Sequence, residues 1–139
     1  DQSDVENLIR TKAAIYAAAD TLVSSLGLSF DDLHKIYIAG AFGNRLDVEN
    51  CMTLGLLPEV PLERVQFIGN ASVAGAKHAV RSRKLFATAG RIRDSITYKE
   101  LMVDASYMER FTSACFLPHT DVSRFPAVMS KMQSMGTAG

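Results

Sequence analysis

The feature that most restricts the fold is a unit that occurs twice: a short β-branched and aromatic run, closed by glycine and followed by a helical stretch. The first is Lys35-Ile36-Tyr37-Ile38-Ala39 ending in Gly40, and the second is Arg64-Val65-Gln66-Phe67-Ile68 ending in Gly69-Asn70. Runs of this length and composition, bounded by turn residues, are strand signals, and the first reads as a buried strand. Between them Asp47 is a good N-cap for a short helix through Leu54, which Gly55 stops, and Pro58 and Pro61 bracket the connection. From Ala71 the residues are small and helical (Ser72, Ala74, Gly75, Ala76, Ala79), and this helix, broken near Ser82 or Gly90, reaches about residue 95. Strands alternating with helices predict a parallel pair joined by a right-handed crossover, hence an α/β layer.

Ahead of the first unit, Val5, Leu8, Ile9, Ala13, Tyr16, Ala19, Leu22, Val23 and Leu26 recur at helical steps. They predict a helix from about residue 4 to 26, with a capping box at Ser3-Asp4-Val5-Glu6 and a left-handed end at Gly27. Ile96 to Val103 reads as a third strand, at an edge because of its charges. Ala105 to Phe116 reads as a last helix, with Tyr107, Met108, Phe111 and Cys115 on one face and Pro118 ending it. Residues 1–118 are thus expected to form one subdomain and 119–139 a tail, in which Met129, Met132 and Met135 make either an apolar helical stripe or nothing ordered. Only three strands are legible. A sheet that small, in a chain that opens at Asp1 without Met and enters a helix at once, suggests a piece of something longer.

Composition narrows the function classes. With 15 Lys+Arg against 15 Asp+Glu, the zero formal charge removes the attraction that supplies most non-specific nucleic-acid affinity, so DNA and RNA are not expected partners. Cys51 and Cys115 stand 64 positions apart with no CxxC, which fits neither a disulfide framework nor a metal-ligand set, and both read as small buried hydrophobes. No run approaches the ~20 apolar residues of a membrane span. The N-terminus opens with acids instead of a basic leader, so a soluble, cytoplasmic protein is expected.

In open α/β sheets ligands bind beyond the carboxyl ends of the strands. Two such ends here are glycine-rich: Gly40-Ala41-Phe42-Gly43-Asn44 and Gly69-Asn70-Ala71-Ser72. Glycine admits positive φ and lets backbone lie against a flat ligand or a phosphate, although tight turns alone also explain it. Neither loop is a Walker A or a GxGxxG sequence. A complete kinase or ATPase site also needs a carboxylate to hold Mg²⁺. Asp47 and Glu49 lie near the first loop but read as helix-start acids.

The run Ile36 to Asn44 resembles the adenosine motif of the acetate and sugar kinase, heat-shock 70 and actin superfamily. More closely, the succession DVENLIRTKAAIYAAADTL, IYIAGAFGN, LDVEN, GLLPEVP, FIGNASVAGA and FLPHTD followed by FP is similar to the C-terminal part of the ATP-dependent reductive activators of corrinoid proteins. The resemblance covers about residues 3 to 126 and rests on the order and spacing of motifs that are individually weak. It implies the C-terminal half of an actin-like (ribonuclease H-like) ATPase domain, a small, mostly parallel sheet flanked by helices. The full-length family member carries a [2Fe-2S] domain and uses ATP to return a corrinoid methyltransferase partner from Co(II) to Co(I). By position, Gly40, Ala41, Phe42, Gly43 and Asn44 would lie against the adenosine end of ATP, and Gly69, Asn70 and Ser72 would wall the same cleft. Ala41 stands where the family pattern favours glycine. The phosphate loops, their Mg²⁺-binding acids and the cluster cysteines would lie upstream, so this chain alone is expected to be inactive.

Other residues carry weaker signals. From Ala71 to Arg93 there is no acid, whereas Lys77, Arg81, Arg83, Lys84, Arg91 and Arg93 are present; this is either a solvated basic face or a docking surface for an acidic partner such as the corrinoid protein. Tyr37 and Phe42 either stack on adenine or pack inward. His34, His78 and His119 are scattered with no nucleophile and acid beside them. The alternatives to an activator piece are a non-catalytic module for homodimerisation or partner docking, and half of a small-molecule kinase of the same superfamily.

Overall fold

The computed structural model describes residues 1–40 and 45–136. Helix α1 runs Gln2–Ser24, strand β1 Ile36–Ala39, helix α2 Val48–Leu54 and strand β2 Val65–Gly69. Helices α3 (Ala71–Arg81), α4 (Arg83–Ser95), α5 (Tyr107–Ala114) and α6 (Pro126–Gly136) follow, with single 3₁₀ turns between several elements. The strands pair in parallel, Ile36 opposite Val65, Tyr37 opposite Gln66 and Ile38 opposite Phe67; the register then shifts so that Ala39 faces Gly69. The expected α/β layer is therefore present. Its first strand is half-buried where full burial was expected: Ile36 and Ile38 are partly buried while Tyr37 is 59% exposed.

The local end signals hold in detail. Asp47 accepts from the Asn50 N–H at 2.9 Å, and Gly55 ends α2 with φ +74°. The helix after β2 breaks at Ser82, whose extended backbone ends α3 and whose hydroxyl accepts from the Leu85 N–H to start α4. The box expected at Ser3 and Glu6 does not form, because Asp1 takes the N-cap position and Ser3 lies inside the first turn. A carboxylate performs that role further on, where Asp32 accepts from both the N–H and the hydroxyl of Ser29.

The third strand expected over residues 96–103 is absent from the described residues, which hold only a 3₁₀ turn at Leu101–Val103 there. Its polar groups are used locally. The Tyr98 hydroxyl donates to Glu100, whose carboxylate also accepts from the Met102 N–H, and Lys99 pairs with Asp104 at 2.8 Å. Such side-chain bonds compete with a ladder.

The core sits between α1 and α5. Ala13, Tyr16, Ala114, Phe125 and Val128 are buried together, with Phe30, Phe111 and Cys115 packed against them. Tyr16 is the hub, its ring centroid 5.4 Å from Phe30, 5.3 Å from His119 and 5.8 Å from Phe125. Of the open alternatives for the final segment the helix is found, although it buries Val128 while Met132 and Met135 stay exposed. Glu59 anchors α6 by accepting from the N–H groups of Ala127 and Val128 at 2.8 and 3.0 Å, a carboxylate at the positive end of a helix.

Candidate functional site

The glycine turns at the ends of β1 and β2 lie side by side. Gly40 donates its N–H to the carbonyl of Gly69 at 2.8 Å, which extends the parallel pair by one rung into the turns. Gly40 has φ +115° and Gly69 φ +61°, values that side chains of the L series rarely adopt. A Cβ built on either glycine meets no atom of the described residues within 4 Å. The residues at this edge therefore fit a flat group laid against main chain. Next to Gly69, Asn70 caps α3 by accepting from the Val73 N–H at 3.1 Å, and Ser72 is exposed in the first turn of that helix.

Of the predicted site residues the structure thus brings together Gly40, Gly69, Asn70 and Ser72 at one edge of the sheet. Ala41, Phe42, Gly43 and Asn44 lie outside the described residues. Asp47 is engaged as the α2 cap, as expected of a helix-start acid. Among the described residues no group of three or more His, Cys, Asp or Glu is placed to hold a metal ion.

The histidines do not gather. His34 and His78 are exposed, while His119 is buried, stacked near Phe125, and accepts from the Asp121 N–H through Nδ1 at 3.0 Å. Burial first, then the neighbouring Arg124 charge, lowers its pKa. Cys51 is buried as expected, and Cys115 is half-buried. Burial raises the pKa of the Cys51 thiol, which makes it less reactive.

Two polar clusters were not legible in the sequence. Asp20, 6% exposed on α1, pairs with Arg110 and, at 3.2 Å, with Arg124; Arg110 also reaches the Ser24 hydroxyl at 3.1 Å. This network walls a cavity of about 260 Å³ between Tyr16, Phe30, Pro58 and Glu59, away from the glycine edge. Lys12, 1% exposed, donates to the carbonyls of Phe116 and Pro118 at 2.5 and 2.6 Å. Burial pulls its pKa down to about 8. These partners are 86 to 106 residues apart along the chain. No spacing rule could have paired them.

A parallel pair whose carboxyl ends are adjacent glycine turns, followed in each case by a helix, is a piece of an α/β layer. The comparisons carry this further. The family described as the C-terminal domain of RACo, the ASKHA domain, matches residues 1–129, and the chain belongs to that family. It is 36% identical over 110 residues to the corrinoid activation enzyme RamQ of Eubacterium limosum, a match covering 79% of this chain and 18% of that protein. It is 34% identical over 105 residues to the Co(II) methylated amine-specific corrinoid protein reductase of Methanosarcina barkeri, covering 76% and 19%. A solved reductive activator for corrinoid, iron-sulfur protein superimposes with a TM-score of 0.85 at 39% identity, covering 91% of this chain and 20% of that one. The chain spans about a fifth of the length of these relatives.

Proposed function

We propose that this chain is the C-terminal part of a reductive activator that uses ATP to drive the reduction of Co(II) to Co(I) in a corrinoid methyltransferase protein, and that it supplies the adenosine side of the ATP cleft. The observation that carries the reading is the Gly40–Gly69 edge: two adjacent turns with positive φ, where no described atom lies within 4 Å of a Cβ on either glycine, in a chain of the activator family. In this reading Gly40 and Gly69 present main chain to the adenosine. Asn70 fixes the start of α3, and Ser72 lines the cleft from the first turn.

Bound ATP supplies the free energy for the uphill electron transfer, and the electron comes from a [2Fe-2S] cluster held elsewhere in the full-length protein. Phosphate loops and Mg²⁺-binding acids likewise belong to the upstream part, and residues 1–118, with Phe125 and Val128 of the following segment packed into their core, form the nucleotide-binding subdomain. The protein works in the cytoplasm.

Ser72→Glu tests the reading without threatening the fold, because an acid in the first turn of α3 suits the helix dipole. In the full-length protein this variant should keep the wild-type unfolding midpoint and bind ATP at least about tenfold more weakly, ~1.4 kcal/mol, by calorimetry. Unchanged ATP affinity would remove Ser72 and its neighbours from the cleft.

A further inference from the structure

The α3–α4 hairpin makes its most extensive contact with itself, and neither helix contains a buried residue. Yet it carries Val73 at 47% exposure, Val80 at 87%, Phe86 at 69% and Ile92 at 57%. Phe86, Ala79, Ala87 and Gly90 line an apolar groove of about 370 Å³ on it. Helices of 11 and 13 residues are marginal in water without tertiary packing, so a pair with no buried face needs a cover. The cover has a defined chemistry at its rim. Lys77, Arg81, Arg83 and Lys84 are exposed and form no ion pair among the described residues.

Three occupants are conceivable, and two observations separate them. A partner that comes and goes would leave the hairpin without support between encounters, whereas a pair of helices with no core of its own requires a permanent one. A second copy meeting the same face across a two-fold axis would set these cations against themselves. The remaining occupant is the rest of the same polypeptide, and the relatives are long enough to provide it, since the chain spans 18 to 20% of their length. The exposed stripe of Val5, Leu8, Ile15 and Leu22 on α1 is a second uncovered apolar surface of the same kind.

We infer that, in the full-length activator, the α3–α4 face is a permanent internal interface, covered by a preceding segment of the same polypeptide that fills the Phe86 groove with apolar side chains and meets Lys77, Arg81, Arg83 and Lys84 with carboxylates. This rests on the reading of the chain as the C-terminal part of an activator, but its test does not use cobalt reduction, so the two can fail separately. Hydroxyl-radical footprinting of the full-length protein is read at Phe86, with the same protein in denaturant as reference. The expected result is oxidation at least about tenfold slower in the native protein alone, independent of protein concentration and of added corrinoid protein. Oxidation near the denatured rate at all times overturns the inference. So does protection that appears only on adding Co(II) corrinoid protein, which would make the face a docking surface, or protection that grows with protein concentration, which would assign it to a second copy.

Discussion

Gly55 and Gly27 hold almost the same backbone angle, φ +74° and +72°, in opposite surroundings. A Cβ on Gly55 would sit 2.1 Å from the Pro118 carbonyl oxygen, whereas one on Gly27 would meet nothing within 4 Å. Gly27→Ala should therefore cost about 1 kcal/mol, for the left-handed backbone alone. Gly55→Ala should cost a further ~1–3 kcal/mol, because the α2 end must move off the Pro118 loop. Urea unfolding of the two variants measures the difference, and equal losses would contradict the packing. Lys12 holds the other side of that loop. Its folded pKa of about 8 lies below the ordinary 10.5, so between these values the unfolded state binds more protons and stability rises with pH. Below pH 8 the amine is charged in both states and adds no slope. Lys12→Met leaves the Phe116 and Pro118 carbonyls unpaired, which costs ~1–3 kcal/mol. The gap between wild type and variant should widen from pH 8 to 10.5, and a gap that stays flat would show that Lys12 is not held as described.

At the scale of elements, what could be read in advance was whatever is encoded within a few residues. Gly40, Gly55 and Gly69 end β1, α2 and β2 at positive φ, as glycine at an element end signals, and the Asp47 cap and the Ser82 start of α4 rest on hydrogen bonds spanning three positions. The third strand failed because Ile96 to Val103 has strand composition, but Tyr98, Lys99 and Glu100 spend their polar groups on local partners. The buried face of α1 was half right. Ala13 and Tyr16 are buried, but so are Lys12, Asp20 and Thr21, while Val5, Leu8 and Leu22 stay exposed. Lys12 and Asp20 are buried only because residues some 90 to 106 positions away satisfy them, and periodicity carries no trace of that. Helix α6 shows the same dependence. Its anchor is Glu59, 68 and 69 positions away. Glu59→Ala should cost ~1 kcal/mol and speed amide exchange at Ala127 and Val128. Exchange there that matches wild type would show that α6 is held by the burial of Phe125 and Val128 alone.

For the molecule as a whole, a net charge of zero conceals a division. Residues 71–93 carry six basic groups and no acid, so the remaining residues hold nine basic groups against fifteen acids. The basic part is also a part without a buried residue, whereas the core gathers around Tyr16, beside the Asp20 ion pairs. The two-stranded sheet belongs to neither, and its glycine edge is the candidate nucleotide surface. The candidate site was legible as far as Gly40, Gly69, Asn70 and Ser72, because glycine at a strand end and asparagine before a helix are local signals. The direct Gly40–Gly69 hydrogen bond was not legible, since it depends on the register of the strand pair. The most direct measurement of the central claim is the absorbance of Co(I) in a corrinoid protein supplied as Co(II), with the full-length protein, a low-potential electron donor, and ATP present or omitted. The expected result is reduction that requires ATP and that Ser72→Glu slows at least about tenfold at limiting ATP. Reduction at the same rate without ATP, or none under any condition, would contradict the account.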